Sequence, residues 1–170
     1  KSGVFGIIVI VVNIFNSNKT FATILLILAM ITMLLGAILA VFSTNFKRTL
    51  ACSSMSQIGF ILTGLAMMIF LNVHNGIAYQ GSFLHMVNHS LIKLSLFMIA
   101  GVIYMNIHKL NLNEIKGFGR NKHFIKICFA IAMLGIMGIP LFNGYISKTL
   151  IHEAIVEYAH LLTGSELFWI

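Results

Sequence analysis

The sequence is poor in charged residues and lacks aspartate altogether. Only four of its 170 residues are acidic, and charged residues make up 9% of the chain. Soluble domains carry about a quarter charged residues, so a soluble fold is excluded. Hydrophobic residues make up 59% and the mean hydropathy is +0.98, which is typical of an integral membrane protein. The net charge of +7 would suit nucleic acid only if the basic residues clustered on a soluble face. They lie mainly between apolar runs, so we expect no nucleic-acid partner.

The sequence also lacks recognisable cofactor and metal motifs. Its two cysteines, Cys52 and Cys128, have no metal-binding or redox spacing. The pair Gly117 and Gly119 follows no strand and is no phosphate-binding loop. A His-Glu pair begins at His152, but the second histidine of a zinc motif is missing four residues later. We therefore expect no redox cofactor and no metal.

Apolar runs alternate with short polar breaks along the chain, which predicts an all-α, polytopic transmembrane helix bundle. A membrane-spanning helix needs about 20 apolar residues, and four or five of the runs can span. The chain begins on lysine, and its last residues start a new apolar run. We therefore expect a fragment of a larger polytopic protein. The predicted elements of this single transmembrane domain are a partial helix 1–15, helices 21–43, 50–71 and 78–105, a broken helix 125–161, and the start of a further helix 165–170.

Basic residues concentrate in two of the loops. Two helices lie between loop 44–48 and loop 108–122, so both loops lie on one side of the membrane, and the opposite loops hold only Lys19. By the positive-inside rule, the two basic loops face the cytoplasm. We expect a multi-pass protein of the cell membrane.

The run 125–161 is interrupted by Gly138, Pro140 and Gly144. Proline removes a backbone donor and glycine relaxes helix geometry, which predicts a broken helix. Irregular backbone at membrane depth needs protein or water around it, and transporters build ion sites at such breaks. Lys148 follows the break. This position favours a role for Lys148 in transport over the alternative that the lysine merely lies at a helix end near the membrane interface.

His85, His89 and Lys93 stand at i, i+4 and i+8 within one apolar run. Each step of four residues moves about 6 Å along a helix and about 40° around it, so the three share a face. Ionisable groups at the bilayer centre persist mainly along water paths or beside partners. Lys93 lies about 18 Å or more from either end of the helix, beyond the reach of a snorkelling side chain. Either histidine alone could be a satisfied core residue, but this register favours a proton or cation relay.

Three segments resemble one family of membrane proteins. Residues 45–60, NFKRTLACSSMSQIGF, resemble the "KRxLAYSSxSQIGY" stretch of the proton-conducting antiporter-like subunits of respiratory complex I, Mrp-type antiporters and membrane-bound hydrogenases. Residues 85–97, HMVNHSLIKLSLF, are similar to the family's HxxxHxxxK helix, whose lysine lies on the proton path. Residues 138–148, GIPLFNGYISK, resemble its broken helix, whose lysine or glutamate carries protons. Residues 1–6, KSGVFG, are similar to an earlier segment with a central lysine.

The resemblance implies a fold with two inverted five-helix repeats, of which this chain would hold most of the second. It implies proton translocation driven by redox or ion coupling in partner membrane subunits. The relay residues would be Lys1, His85, His89, Lys93 and Lys148, with His152 as a weaker candidate one turn beyond Lys148. Two alternative functions stay open: a structural membrane subunit without conduction, and transport of sodium in place of protons. The identity of the parent complex also stays open. The absence of Asp and Glu from the helix that carries Lys93 favours protons.

Overall fold

The computed structural model describes residues 2–15, 17–71 and 76–163, which form helices and no strand. The all-α prediction is confirmed. The predicted start of a further helix at 165–170 lies outside the described residues, and so does Lys1. In chain order the helices are α1 (Ser2–Asn13), α2 (Lys19–Val41), α3 (Phe46–Phe70), α4 (Gly76–Ile107), α5 (His123–Met137) and α6 (Asn143–Thr163).

Asparagine side chains fix where two of the long helices begin. Asn18 accepts a hydrogen bond from the backbone N–H of Phe21, and Asn45 accepts from those of Lys47 and Arg48. These bonds satisfy N–H groups that have no partner within the first turn of a helix. As a result, α2 begins two residues and α3 four residues before the apolar runs at 21 and 50.

Within the residues that the structure describes, three helices, α2, α3 and α4, are long and apolar enough to cross a membrane. The sequence predicts four or five spans. The difference arises from the interrupted run, because the break leaves α5 with only 15 residues. The second piece, α6, is longer but carries Lys148, His152 and two glutamates.

Helices α3 and α4 form the centre of the bundle. Helix α3 contacts α1, α2, α4 and α6, while α4 contacts α3, α5 and α6. Helices α2 and α3 pack closely at Gly36, where an added Cβ would lie 2.5 Å from the backbone nitrogen of Ser56. Small residues allow such close approach of membrane helices, in which packing replaces much of the hydrophobic driving force.

The two basic loops are joined by backbone hydrogen bonds. The N–H of Phe46 donates to the carbonyl of Leu110, and the N–H of Leu112 donates to the carbonyl of Thr44, both at 2.9 Å. These bonds form an isolated antiparallel bridge between Asn45 and Asn111. Loops 44–48 and 108–122 therefore lie on the same side of the bundle, as the crossing count predicts.

The break in the fifth apolar run occupies residues 138–142, between α5 and α6. Gly138 ends α5 with a φ of 80°, a left-handed conformation that glycine adopts without steric strain. Leu141 also has a positive φ, of 82°, and its side chain is exposed. Helix α6 then begins at Asn143 and returns against α4.

Candidate functional site

The two histidines and the lysine of α4 are buried in the bundle. The exposed fractions are 4% for His85, 2% for His89 and 5% for Lys93. The rings of His85 and His89 are nearly parallel, at 9°, with centroids 6.3 Å apart. This spacing matches the 6 Å rise of four helical residues, so the rings follow one another along a single face of α4.

The amine of Lys93 is directed into the protein. Its Nζ donates to the carbonyl oxygen of Leu50, at 2.8 Å, and to Oγ of Ser53, at 2.5 Å, both in α3. Ser53 in turn donates to the carbonyl of Leu50. The inward orientation expected from the register is therefore confirmed, and snorkelling toward a membrane surface is excluded for this side chain.

A cavity of about 520 Å³ lies beside Lys93, bounded by α1, α3 and α4. Ser54 and Ser90 line it together with Lys93, and its other walls are apolar. The hydroxyls of Ser54 and Ser90 donate to the backbone carbonyls of Leu50 and Met86, and their oxygens can still accept hydrogen bonds from water. The cavity has room for several waters at the end of the histidine and lysine series. Lys1, a predicted relay residue, lies outside the described residues.

His85 joins three helices through its two ring nitrogens. Nδ1 lies 2.9 Å from Oγ of Ser147 in α6, and Nε2 lies 3.0 Å from Oε1 of Gln57 in α3. Both oxygen partners are buried. Ser147 Oγ also lies 3.2 Å from the carbonyl of Gly144, to which it can donate.

This arrangement accommodates both protonation states of His85. When Ser147 donates to Gly144, its oxygen accepts from a protonated Nδ1, and the imidazolium has acceptors at both nitrogens. When the hydroxyl hydrogen turns toward Nδ1, the same ring is held as neutral imidazole that donates to Gln57. Rotation of one hydroxyl group therefore lets the residue gain or release a proton without moving heavy atoms.

Lys148 bridges the two pieces of the broken helix. Its Nζ donates to the carbonyl oxygens of Ile136, at 2.7 Å, and Met137, at 3.3 Å, at the end of α5. In an uninterrupted helix the carbonyl of Ile136 would accept from residue 140, but Pro140 has no N–H. The amine supplies that missing donor, and its positive charge meets the negative end of the α5 dipole.

The ring of Phe60 lies near both Lys148 and His85. The Phe60 ring centroid is 5.4 Å from Nζ of Lys148 and 6.2 Å from the ring centroid of His85. Ser147, a partner of His85, is also the residue before Lys148. Lys148 and His85 thus both lie near the Phe60 ring, and Ser147, the hydrogen-bond partner of His85, is adjacent to Lys148 in α6.

A pair of amides holds α6 against α4 at the break. Asn88 donates to the backbone carbonyl of Asn143, at 3.0 Å, and the Asn143 side chain donates back to Oδ1 of Asn88, at 3.3 Å. Asn88 lies one residue before His89, so the bonds fix the start of α6 relative to the histidines. Sequence reasoning missed Asn88, Asn143 and Ser147 as site residues. The only available signal was their position beside the titratable residues.

His152 is not brought into this site. Its side chain is exposed on α6, as are those of the neighbouring Glu153 and of His160. In the described part of the chain, no three His, Cys, Asp or Glu side chains come together as a metal site.

The chain matches a known family along nearly its whole length. A family model described as "NADH:quinone oxidoreductase/Mrp antiporter, TM" matches residues 1–165. The chain is 31% identical over 158 residues to NAD(P)H-quinone oxidoreductase chain 4 2 of Trichodesmium erythraeum, covering 92% of this chain and 27% of that relative. It is 30% identical over 133 residues to NAD(P)H-quinone oxidoreductase chain 4 1 of Synechococcus elongatus, covering 78% of this chain and 24% of the relative. The chain therefore spans about a quarter of the length of these curated relatives.

Proposed function

Because the chain belongs to the NADH:quinone oxidoreductase/Mrp antiporter transmembrane family, we propose that it forms part of the proton path of an antiporter-like membrane subunit. The observation that carries this proposal is the hydrogen-bonded connection of Gln57, His85 and Ser147 across three helices. Lys93 and Lys148 lie on either side of this connection. Buried ionisable groups are expensive in a membrane and persist where they carry out transport.

The path runs along α4 and crosses to α6. Lys1 would exchange protons with Lys93 through water in the adjoining cavity. From Lys93 a proton passes along His89 and His85, and the Ser147 hydroxyl leads it to Lys148. Beyond Lys148, the exposed His152 on the next turn of α6 is the candidate exit. The ring centroids of His85 and His89 lie 6.3 Å apart, so we expect a water molecule or a side-chain rotation to assist proton transfer between these rings.

The proposed setting is a multisubunit membrane complex. Relatives of this chain are named as chains of NAD(P)H-quinone oxidoreductases, and we infer that this subunit takes its driving force from redox or ion coupling in neighbouring membrane subunits. The subunit would hold no redox cofactor of its own. Both basic loops would face the cytoplasm, by the positive-inside rule, with the helices in contact with the lipid bilayer of the cell membrane.

The test is proton uptake by the complete complex reconstituted in vesicles, measured with a pH-sensitive dye during turnover. Lys93→Ala and Lys148→Ala should each abolish uptake, because each removes a proton-binding group from the path. Lys19→Ala is the matched control, since Lys19 is exposed at the start of α2 and should leave uptake unchanged. Full uptake in both variants would reject the relay.

Two alternatives are separated by further measurements. A purely structural role is suggested by the bonds from Lys93 to Leu50 and Ser53, which also fasten α4 to α3. In that case Lys93→Ala should lower the amount of assembled complex in proportion to the uptake that is lost. If the subunit transports sodium, the uptake of labelled sodium should depend on Lys93 and Lys148, and proton uptake should not.

A further inference from the structure

A serine hydroxyl stands at each end of the series of titratable residues on α4. Oγ of Ser53 in α3 lies 2.5 Å from Nζ of Lys93, and Oγ of Ser147 in α6 lies 2.9 Å from Nδ1 of His85. Each hydroxyl also lies within hydrogen-bonding distance of the carbonyl three residues earlier in its own helix, at 3.0 Å in α3 and 3.2 Å in α6. Two neighbouring helices therefore present the same local arrangement to the two ends of the series.

The carbonyl oxygen of Leu50 has more donors around it than it needs. Nζ of Lys93 lies 2.8 Å from this oxygen, and the hydroxyls of Ser53 and Ser54 each lie 3.0 Å from it. A carbonyl oxygen offers two lone pairs to hydrogen-bond donors. The hydroxyl of Ser53 can therefore turn away from Leu50 and leave that carbonyl satisfied by its other donors.

Lys93 needs different partners in its two protonation states. The ammonium group has only donors, and the oxygens of Leu50 and Ser53 accept from it. The neutral amine carries a lone pair, and a buried polar group is costly unless it is hydrogen-bonded. The hydroxyl of Ser53 supplies the required donor when its hydrogen turns from the carbonyl of Leu50 to Nζ. The amine still donates to Leu50 in that state.

The helices that bind Lys93 bring no carboxylate to it. Helices α1 to α4 contain neither aspartate nor glutamate. An adjacent carboxylate would favour the charged form of a lysine and oppose release of its proton. A hydroxyl group carries no charge and serves both forms, because it can accept from the ammonium and donate to the amine.

We propose that Ser53 is a positioning residue that allows Lys93 to release its proton, by donating a hydrogen bond to the neutral amine. This inference rests on the proposed proton path and identifies a side chain on which the lysine of that path depends. The competing role for Ser53 is purely structural, as one of the bonds that fasten α4 to α3.

The other titratable groups around Lys93 are the same in every variant of Ser53. Among the described residues, the titratable side chains that are not exposed on α3 to α6 are His85, His89, Cys52, Cys128, Lys148, Glu157 and Tyr158. Helix α1, across the adjoining cavity, carries no titratable residue. A difference in pH dependence between the Ser53 variants therefore reports on the hydroxyl group.

The test is proton uptake by the complete complex in vesicles, divided by the amount of assembled complex and measured over a range of pH. Ser53→Ala should lower uptake near neutral pH roughly fivefold, since a hydrogen bond between neutral groups contributes about 1 kcal/mol. Without the donor, the neutral amine is disfavoured and the proton is released less readily. The pH profile of uptake should therefore move to higher pH by roughly 0.7, the logarithm of that factor.

Two conservative variants identify the group that is responsible. Ser53→Thr retains the hydroxyl and should keep both the rate and the pH profile of the wild type. Ser53→Cys is close to serine in size, but its thiol is a weak donor, so it should lose part of the uptake. The cysteine variant also tests the proposal if the alanine variant fails to assemble.

Ser95→Ala is the matched control, because the hydroxyl of Ser95 donates to the carbonyl of Ile92, three residues earlier in α4, at 2.8 Å. It should leave the rate and the pH profile unchanged. Lys93→Ala is measured beside it, and full uptake in that variant would overturn both the proton path and the role of Ser53. Loss of uptake in Lys93→Ala, together with a wild-type rate and pH profile in Ser53→Ala, would overturn the role of Ser53 alone. A loss in Ser53→Ala that is equal at every pH, or is confined to the amount of assembled complex, would also overturn it, because a structural bond predicts that result.

Discussion

The contact between Lys148 and the end of α5 predicts how the broken helix responds when the amine is lost. Lys148→Met keeps the length of the side chain but removes the donor to the carbonyls of Ile136 and Met137. A polar group left without its hydrogen bond costs about 1–3 kcal/mol, and loss of a charge at a helix end costs about 0.3–1 kcal/mol. These contributions sum to about 1–4 kcal/mol, and because water can reach part of this half-buried site, we expect a net loss of about 1–3 kcal/mol in the free energy of local opening.

Hydrogen exchange of the complete protein in nanodiscs measures this opening. The backbone N–H groups of Gly138 and Ile139, which donate to the carbonyl of Leu134, report on the end of α5. A loss of about 1–3 kcal/mol corresponds to exchange faster by roughly 5-fold to 150-fold. Lys148→Arg separates structure from transport, because arginine donates to the same carbonyls but does not release its proton. It should keep exchange slow and still abolish proton uptake. Unchanged exchange in Lys148→Met would refute the bridging role of the amine.

Two further predictions concern packing and the site of His85. Gly144→Ala should lower the free energy of unfolding by about 1–3 kcal/mol. Gly144 lies at the start of α6, and an added Cβ there would overlap the carbonyl oxygen of Gly135 in α5. Gly101→Ala is its control, since nothing lies within 4 Å of that added Cβ and alanine favours the helix by about 0.5–1 kcal/mol. Gln57→Leu should slow proton uptake several-fold while the complex still assembles, because it removes the acceptor from Nε2 of His85. Unchanged uptake in assembled Gln57→Leu complex would place this bond outside the path.

Helix positions could be predicted from the sequence because they depend on local properties. Apolar runs of sufficient length and the caps at Asn18 and Asn45 determine α2 and α3 with little influence from the rest of the chain. The common face of His85 and Lys93 follows from helical periodicity alone.

The partners of those side chains could not be predicted, because they lie on other helices. Gln57 and Ser147 are 28 and 62 residues away from His85, and no periodicity within one helix relates them. The break at Pro140 could be predicted, but the use of Lys148 to complete α5 depends on how α6 folds back. The sequence predicted that the two basic loops lie on one side of the membrane, but it did not predict that backbone hydrogen bonds join them.

The bridge between Asn45 and Asn111 gives α3 and α4 a fixed pivot at one end. Relative tilting of the two helices therefore produces displacements that grow with distance from that pivot. Lys93 lies about 21 Å from the end of α4 at Ile107 and His85 about 33 Å, by the rise of 1.5 Å per residue. A tilt of roughly 3° would move Lys93 by about 1 Å and His85 by nearly 2 Å relative to α3. Such a rotation would lengthen the bond from His85 to Gln57 beyond hydrogen-bonding distance before it broke the bonds of Lys93.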